Sequence, residues 1–323
     1  MIQLELVKKV FPNTTVPAVD EVTFSINKGN ICVFVGPSGC GKTTILRMIN
    51  RLVEPTSGNI YVDGENILDV DSDELRRRIG YVIQQIGLLP HRTIEQNVGL
   101  VPRLLKWSEA KIKQRVMELL EIVGLDPVET AWKYPYQLSG GQMQRAGVAR
   151  ALAADPPIML MDEPFGAVDP IVRGRLQDEF LRLQQEVKKT ICFVTHDINE
   201  ALKMGDYIVV MNMGKLVQKG TPMEVLSNPA NKFVKDMIGD DRGVKLLDLT
   251  RAESLMTAVT EGSAAARDCS CFLDAIQPVK MALEVMMKND SDVVGICRGK
   301  EVVGTLSWTE IKKHIHKISG DQE

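Results

Sequence analysis

The segment from Gly36 to Thr43 is the feature of this sequence that most constrains the fold. It reads GPSGCGKT and fits the pattern GxxxxGK[ST], in which glycines let backbone N–H groups turn toward phosphate oxygens. The apolar run from Ile31 to Val35 predicts a buried strand before it, and the periodic run from Thr44 to Asn50 predicts a helix after it. This order of strand, glycine-rich turn and helix predicts a phosphate-binding loop in an α/β fold. A glycine-rich turn with an accidental lysine is the alternative.

Two side chains of this loop carry the expected chemistry. Lys42 would reach the β- and γ-phosphates of a nucleotide, and the Thr43 hydroxyl would bind Mg²⁺. The other residues expected to bind the nucleotide are Gly36, Pro37, Ser38, Gly39, Cys40, Gly41 and Thr44. Cys40 has two interpretations, because a helix N-terminus can activate a thiol, whereas the position requires only a small residue. The small-residue interpretation is favoured.

A second apolar run, from Ile158 to Met161, ends in the carboxylates of Asp162 and Glu163. A continuous apolar run predicts a buried parallel strand, and open α/β sheets bind ligands at the carboxyl ends of such strands. Neighbouring residues on a strand point to opposite sides, so the two carboxylates are expected to have different roles. Asp162 would belong to the Mg²⁺ shell, and Glu163 would orient or deprotonate an attacking water. A solvated acidic turn is the alternative.

The composition argues against several classes of protein. The 39 basic and 42 acidic residues give a net charge of −3, which disfavours a strongly basic nucleic-acid binder. Charges interrupt every apolar stretch before the roughly 20 residues of a membrane span, and the N-terminus lacks the pattern of a secretory signal. The six scattered cysteines are therefore expected to be free thiols. The length of 323 residues predicts about two domains. Together with the absence of a predicted span or signal, these features predict a soluble cytoplasmic protein.

The segment LSGGQ, from Leu138 to Gln142, precedes a helical stretch. Ser139 is a good N-cap, and Gly140 and Gly141 permit close approach of a ligand, so a second anion site at a helix N-terminus is expected. Together with the phosphate-binding loop and the acidic strand end, this segment resembles the ATP-binding subunit of ATP-binding cassette (ABC) transporters. The resemblance covers about residues 1 to 240.

The resemblance implies a RecA-like P-loop core with an antiparallel β subdomain and an α-helical subdomain. It implies ATP and Mg²⁺ as cofactors and a head-to-tail pairing with a second copy, whose bound ATP would contact Ser139, Gly140, Gly141 and Gln142. The implied partners are integral membrane permease subunits and, indirectly, a solute-binding protein, without nucleic acid. The implied location is peripheral, at the cytoplasmic face of the cell membrane.

Further site residues are assigned only by this resemblance. Phe11 stands where the family places an aromatic ring that stacks on adenine, with a core phenylalanine as the alternative. Gln84 matches the glutamine that senses Mg²⁺ and the attacking water, with Gln85 one place away. Asp169 matches the D-loop aspartate near the nucleotide, and His196 matches the switch histidine that contacts the γ-phosphate.

By the same resemblance, the segment from Gln84 to Arg103 and the helical stretch from Ser108 to Val123 would dock the coupling helix of a permease. The apolar side chains of the first segment either line that docking groove or pack the helical subdomain; they are Ile86, Leu88, Leu89 and Val98.

The chain beyond the cassette is expected to form a second, small α+β domain at residues 251–323, joined by a linker at 241–250. A helix from Met281 to Met287 is followed by a strand, a tight turn, a strand and another helix. This order resembles one cystathionine-β-synthase-type (CBS) motif over about residues 269–316. The motif implies a regulatory domain that senses ionic strength or binds a nucleotide such as cyclic di-AMP.

The C-terminal motif and the run from Ile79 to Thr93 resemble the branch of ABC importers for glycine betaine, carnitine, choline and similar solutes. The implied function is ATP hydrolysis that powers import of such a quaternary amine through a permease. A soluble ABC ATPase of nucleic acid or ribosomes is one alternative, although no coiled-coil array separates Lys42 from Asp162. An importer ATPase for another solute, such as ergothioneine, and a nucleotide-sensing regulator are the others.

Overall fold

The computed structural model describes residues 1–83, 87–166, 168–259, 269–299 and 301–319. The chain divides into two compact units, Met1–Thr221 and Pro222–Glu323. The strands of the first unit are β1 (Ile2–Lys9), β2 (Val19–Ile26), β3 (Ile31–Val35), β4 (Ser57–Val62), β5 (Glu65–Asn66), β6 (Ile79–Val82), β7 (Ile158–Asp162), β8 (Thr190–Thr195), β9 (Tyr207–Asn212) and β10 (Lys215–Gly220). Its helices are α1 (Lys42–Ile49), α2 (Ser72–Arg77), α3 (Ile94–Val98), α4 (Leu100–Leu104), α5 (Glu109–Ile122), α6 (Pro127–Thr130), α7 (Gly140–Leu152), α8 (Pro170–Val187) and α9 (Ile198–Met204).

The larger sheet of this unit positions the site. Its strand order is β10-β9-β3-β8-β7-β6, and β3 pairs in parallel with both β8 and β9. Every residue of β3, β7 and β8 is buried, as their continuous apolar runs predict for parallel strands covered on both faces. Because these strands run in one direction, the phosphate-binding loop, the acidic pair and the histidine loop all leave the same edge of the sheet.

A second, antiparallel sheet has the order β2-β1-β4-β5 and shares one apolar core with the larger sheet. The rings of Phe24 on β2 and Phe34 on β3 meet edge to face at 5.3 Å between centroids, which joins the two sheets directly. Helices α3 to α7 follow β6 and precede β7. The first unit therefore has the predicted α/β core with antiparallel and helical additions.

The second unit is α+β, as expected. Its elements are α10 (Pro222–Ser227), α11 (Lys232–Ile238), α12 (Arg242–Leu249), β11 (Thr257–Ala258), β12 (Phe272–Asp274), α13 (Val279–Asn289), β13 (Val293–Arg298), β14 (Glu301–Ser307) and α14 (Trp308–Ser319). The strand order is β11-β14-β13-β12, with β12 parallel to β13 and the other pairs antiparallel. The predicted series of helix, strand, turn, strand and helix is present, although Lys300 in the turn lies outside the described residues.

The boundary between the units differs from the predicted cassette at 1–240 with a linker at 241–250. The first unit ends at Thr221, and the predicted linker is largely helix α12. Leu246 and Leu247 of this helix are buried, and Leu247 belongs to the apolar core of the second unit. The Arg242 side chain donates hydrogen bonds to carbonyl oxygens at the end of α10. The polar residues before α12 resemble a linker in sequence, but the two leucines fix the helix by burial.

Candidate functional site

The phosphate-binding loop connects β3 to α1 and folds around its own lysine. The Lys42 side chain is only 6% exposed, and its Nζ donates to the carbonyl oxygens of Gly36 at 2.7 Å and Pro37 at 2.9 Å. The same Nζ lies 3.7 Å from Sγ of Cys40, which is buried. This burial supports the small-residue interpretation of Cys40. All six cysteines lie outside disulfides, as predicted.

Two glycines of the loop are required by close approach of the backbone. A Cβ on Gly41, whose φ is +105°, would lie 2.3 Å from the carbonyl oxygen of Ala18. A Cβ on Gly36 would lie 2.2 Å from the carbonyl oxygen of Met211. Gly39, with φ of +80°, has no atom within 4 Å of a Cβ and faces open space. The loop is therefore held against the sheet at its two ends and left open in the middle, where a phosphate would approach.

Thr43 and Asp162 bring two side-chain oxygen atoms together where the sequence predicts a Mg²⁺ site. The Thr43 hydroxyl donates to Oδ1 of Asp162 at 3.0 Å, across the gap between α1 and the end of β7. Burial and the charge of Glu163 raise the pKa of Asp162, and the hydrogen bond from Thr43 opposes this rise without cancelling it. A hydroxyl next to a buried carboxylate fits a hard divalent cation, which prefers oxygen ligands.

The raised pKa of Asp162 predicts how an amide at this position changes stability. The folded chain holds the proton more tightly than the unfolded chain, so charging Asp162 destabilises the folded state once the pH rises through the ordinary aspartate pKa of about 4. Asp162→Asn is expected to raise the melting temperature of the Mg²⁺-free, nucleotide-free chain at about pH 7, and this gain should shrink toward about pH 4. Thermal denaturation in a chelator across this pH range measures it.

The matched control is Asp69→Asn, because this aspartate is exposed. It should change the melting temperature little at any pH. A wild-type chain more stable than Asp162→Asn near pH 7 would contradict the direction of the effect.

Glu163 and His196 meet beside this pair. The carboxylate Oε1 of Glu163 lies 3.3 Å from Nδ1 of His196, which follows β8. Strand alternation predicts that the two acids lie on opposite faces of one strand, but β7 ends at Asp162. Glu163 instead adopts a left-handed backbone with φ of +47°, and its N–H donates to the carbonyl oxygen of Val194 at 3.0 Å. This turn of the backbone, and not strand alternation, separates the roles of the two carboxylates.

The segment predicted as a second anion site forms the start of α7. Ser139 is the N-cap, as predicted: its Oγ accepts from the N–H of Gln142 at 3.3 Å, and the Gln142 side chain accepts from the N–H of Ser139 at 2.9 Å. A Cβ on Gly140 or Gly141 would have no neighbour within 4 Å. The two glycines thus present an open helix start to which a phosphate can come close.

Phe11 lies at the surface. Its side chain is 36% exposed, with Nζ of Lys9 at 5.3 Å from the ring centroid, so the interpretation as a core phenylalanine is wrong. The N–H of Ala18 donates to the carbonyl oxygen of Lys9 at 2.8 Å and closes the loop that carries the ring. Because Ala18 also packs against Gly41, this loop borders the phosphate-binding loop. That placement leaves the ring available for stacking on a base.

Of the remaining predicted residues, Asp169 belongs to the part of the chain that the structure describes. Gln84, Gln85 and Ile86 lie outside the described residues. Asp169 directly precedes α8, and its carbonyl oxygen accepts from the N–H of Arg173 at 2.9 Å. Its place at the start of α8 agrees with a D-loop position.

The predicted docking segment is organised by a residue that its sequence pattern does not single out. Asn97 is 0% exposed, and its side chain accepts from the N–H of Leu89 at 2.7 Å and donates to the carbonyl oxygens of Leu89 and Arg92, both at 3.1 Å. Leu88 and Leu89 are partly exposed on the loop that Asn97 holds, whereas Val98 is fully buried and packs the helical subdomain. Val98 therefore does not line the predicted docking groove, and Asn97 could have been identified only by its burial.

Within the described ranges, no helix has both the length and the apolar character needed to cross a bilayer.

The comparisons with known proteins agree with this geometry. The model of the ABC transporter family matches residues 19–166. The chain is 56% identical over 257 residues to the glycine betaine/carnitine/choline transport ATP-binding protein OpuCA of Bacillus subtilis, a match that covers 79% of this chain and 67% of the relative. It is 54% identical over 255 residues to the osmoprotectant import ATP-binding protein OsmV of Salmonella typhimurium, covering 78% of this chain and 67% of the relative.

A further relative matches a longer stretch of this chain. The glycine betaine transport ATP-binding protein OpuAA of Bacillus subtilis is 41% identical over 301 residues, covering 91% of this chain and 68% of the relative. Because the first unit ends at Thr221, this match includes part of the second unit.

Solved structures show the same fold. The dimer of the ATP-binding cassette MJ0796 bound to ADP and Pi superimposes with a TM-score of 0.63 at 37% identity, over 69% of this chain and 99% of that one. CbiO1 of Clostridium perfringens, part of the ABC transporter complex cbiONQ, gives a TM-score of 0.65 at 25% identity, over 77% and 98% of the two chains. Both confirm the predicted fold of the ABC cassette.

Proposed function

The chain belongs to the ABC transporter family, and on this premise we propose that it is the ATP-hydrolysing subunit of an importer for a quaternary-amine solute. The observation that carries the enzymatic part is the convergence of Lys42, Thr43, Asp162, Glu163 and His196 at one edge of the parallel sheet. The relatives' names, which specify glycine betaine, carnitine, choline and osmoprotectant transport, support the solute class.

Hydrolysis of the γ-phosphate needs positioning and neutralised charge more than covalent chemistry. The Lys42 ammonium, now bound to two loop carbonyls, would donate to the phosphate oxygens instead. Mg²⁺, held by the Thr43 hydroxyl and Asp162, would neutralise charge on the phosphates. Glu163 would accept a proton from the attacking water. His196, whose Nδ1 lies 3.3 Å from Oε1 of that carboxylate, would donate a ring N–H toward the γ-phosphate.

The open start of α7 supports a head-to-tail dimer. Ser139 and Gln142 satisfy each other in the capping box, so the uncrowded backbone at Gly140 and Gly141 is the part of this segment that a phosphate would approach. A second copy would supply that phosphate, bound to its own Lys42. The MJ0796 cassette bound to ADP and Pi is itself a dimer, which supports this pairing.

The proposed partners are membrane permease subunits, with a solute-binding protein acting indirectly, and the proposed location is peripheral at the cytoplasmic face of the membrane. The names of the relatives as transport ATP-binding proteins support this assignment. Leu88 and Leu89, partly exposed on the loop held by Asn97, would contact the permease.

The solute assignment is tested by co-purifying the chain with its permease in lipid and measuring ATP hydrolysis with added solutes and their binding protein. Glycine betaine, carnitine or choline is expected to stimulate hydrolysis. Stimulation by ergothioneine alone would move the assignment to another solute. Stimulation by nucleic acid or ribosomes without the permease would instead support the soluble alternative.

The second unit is proposed to regulate the ATPase by responding to ionic strength or to a nucleotide such as cyclic di-AMP. Its α+β order of strands and helices agrees with the CBS resemblance, and the OpuAA match extends into it. Calorimetry of the full chain with cyclic di-AMP, and ATPase assays across salt concentrations, distinguish the two signals.

Truncation tests this regulatory role, and the structure indicates where to cut. A cut within α12 would remove the core that covers Leu247, whereas a cut after Thr221 follows the boundary between the units. The chain ending at Thr221 is expected to keep ATP hydrolysis and lose its response to salt or nucleotide. An unchanged response after this truncation would count against regulation by the second unit.

A further inference from the structure

Glu200 is a buried carboxylate that the proposed catalytic roles leave unused. It lies on α9, is only 7% exposed, and accepts a hydrogen bond from Nε2 of Gln177 at 2.9 Å. Hydrogen bonding from the hydroxyl of Thr195, the last residue of β8, lowers the pKa of the same carboxyl against the larger effect of burial. The Thr195 Oγ1 in turn accepts from the N–H of Asp197 at 3.0 Å. His196 therefore lies between two residues that are both tied to this buried network.

The other side of the network reaches the start of α8. Gln177, which is 6% exposed, projects from this helix, and the positive charge of Arg173 on the same helix favours the charged form of Glu200. The guanidinium of Arg173 donates to the carbonyl oxygen of Val168 at 3.1 Å. The backbone N–H of Arg173 donates to the carbonyl oxygen of Asp169 at 2.9 Å. One helix thus connects the segment before α8 with the loop that carries the histidine.

We propose that Glu200 is a positioning residue for ATP hydrolysis, holding the His196 loop against α8 through Gln177 and Thr195. This inference rests on the proposed ATPase function. Glu200 touches neither the nucleotide nor the attacking water, and it acts by fixing the place of His196 opposite Glu163.

A buried carboxylate is retained at a cost, because charge is disfavoured away from water. Burial raises the pKa of Glu200, and the hydrogen bonds from Thr195 and Gln177 oppose the rise. Removing the carboxylate would leave a buried amide and a buried hydroxyl without their acceptor. The loop that carries His196 would then lose its connection to α8 through Glu200 and Gln177, while the backbone of β8 stays in the sheet.

The first test compares Glu200→Ala with Glu200→Gln in the full chain. A displacement of about 1 Å at a reacting group can cost about 100-fold in rate, so Glu200→Ala is expected to lower kcat by about 10- to 100-fold. The KM for ATP should change less than about threefold, because Lys42 and the phosphate-binding loop are untouched. Glu200→Gln keeps an acceptor for Gln177 and a polar partner for Thr195, and it should restore kcat to within a few-fold of wild type.

Gln184→Ala is the matched control for lost stability. Gln184 lies on the same helix, is also buried, and donates to the carbonyl oxygen of Gly29 at 3.0 Å, away from the histidine loop. Its replacement should lower the melting temperature as Glu200→Ala does, while kcat measured well below that temperature stays near wild type. Equal kcat losses in the two variants would reduce Glu200 to a structural residue and overturn the proposal.

The second test asks whether Glu200 acts through His196. Single-turnover hydrolysis is measured for His196→Ala and for the double variant with Glu200→Ala. If the proposal holds, the second substitution adds less than about twofold to the loss caused by the first. A full, independent loss of about 10-fold or more in the double variant would overturn it. Failure of the proposed function is a separate outcome, because the wild-type chain would then show no ATP hydrolysis.

Discussion

Replacing Glu163 with glutamine is expected to lower ATP turnover by roughly 10²- to 10⁴-fold, the range over which a positioned general base acts. The substitution keeps the size of the side chain but removes the group that would accept the proton of the attacking water. The residues proposed to hold the phosphates and Mg²⁺, namely Lys42, Thr43 and Asp162, are unchanged. ATP binding is therefore expected to persist, and the bound ATP should hold the variant as a head-to-tail dimer.

Two measurements check this expectation together. Phosphate release reports turnover, and size-exclusion chromatography with light scattering reports the dimer in the presence of ATP and Mg²⁺. Glu118→Gln is the matched control, because Glu118 is half exposed and pairs with Arg115 on α5, away from the catalytic edge of the sheet. Wild-type turnover in Glu163→Gln would remove Glu163 from its assigned role.

A single methyl group at Gly41 is expected to disrupt the phosphate-binding loop. The Cβ of Gly41→Ala would lie 2.3 Å from the carbonyl oxygen of Ala18, and the φ of +105° is unfavourable for alanine. Overpacking of this kind costs on the order of 1–3 kcal/mol of unfolding free energy. If the loop moves instead, Lys42 loses the carbonyls that now orient it, and ATP affinity should fall by more than about tenfold.

Thermal denaturation and binding of a fluorescent ATP analogue separate these two effects. The control is Gly174→Ala, because Gly174 lies inside helix α8 with no atom within 4 Å of a Cβ. Alanine is favoured over glycine within a helix by about 0.5–1 kcal/mol, so this variant should be slightly more stable and bind ATP normally. Normal affinity and stability in Gly41→Ala would contradict the steric argument.

The sequence alone predicts the parts of the site that depend on short, contiguous patterns. The strand before Gly36, the helix after Lys42 and the N-cap at Ser139 are local features, and each forms as predicted. The meeting of Thr43 with Asp162 is also predictable, because both leave the carboxyl edge of one parallel sheet.

Other features depend on contacts between distant parts of the chain. Asn97 and Glu200 look like ordinary polar residues of short helices until burial and their hydrogen-bond partners are known. The sequence predicts a linker where helix α12 forms, because the burial of Leu247 by the second unit is not a local property. The left-handed backbone of Glu163 is likewise set by its hydrogen bond to Val194 on the neighbouring strand.

That backbone conformation has a consequence for the evolution of the site. A non-glycine residue in the left-handed region costs on the order of 1 kcal/mol, and glycine or asparagine at position 163 would relieve most of it. Selection for thermal stability alone would therefore favour replacement of the acidic side chain. Lys188 and Met213 adopt a similar φ without a proposed catalytic role, so at Glu163 the proposed role in hydrolysis adds a second reason to keep the acid at φ of +47°. Loss of the glutamate in a descendant sequence would thus be an early sign that selection no longer maintains ATP hydrolysis in that cassette.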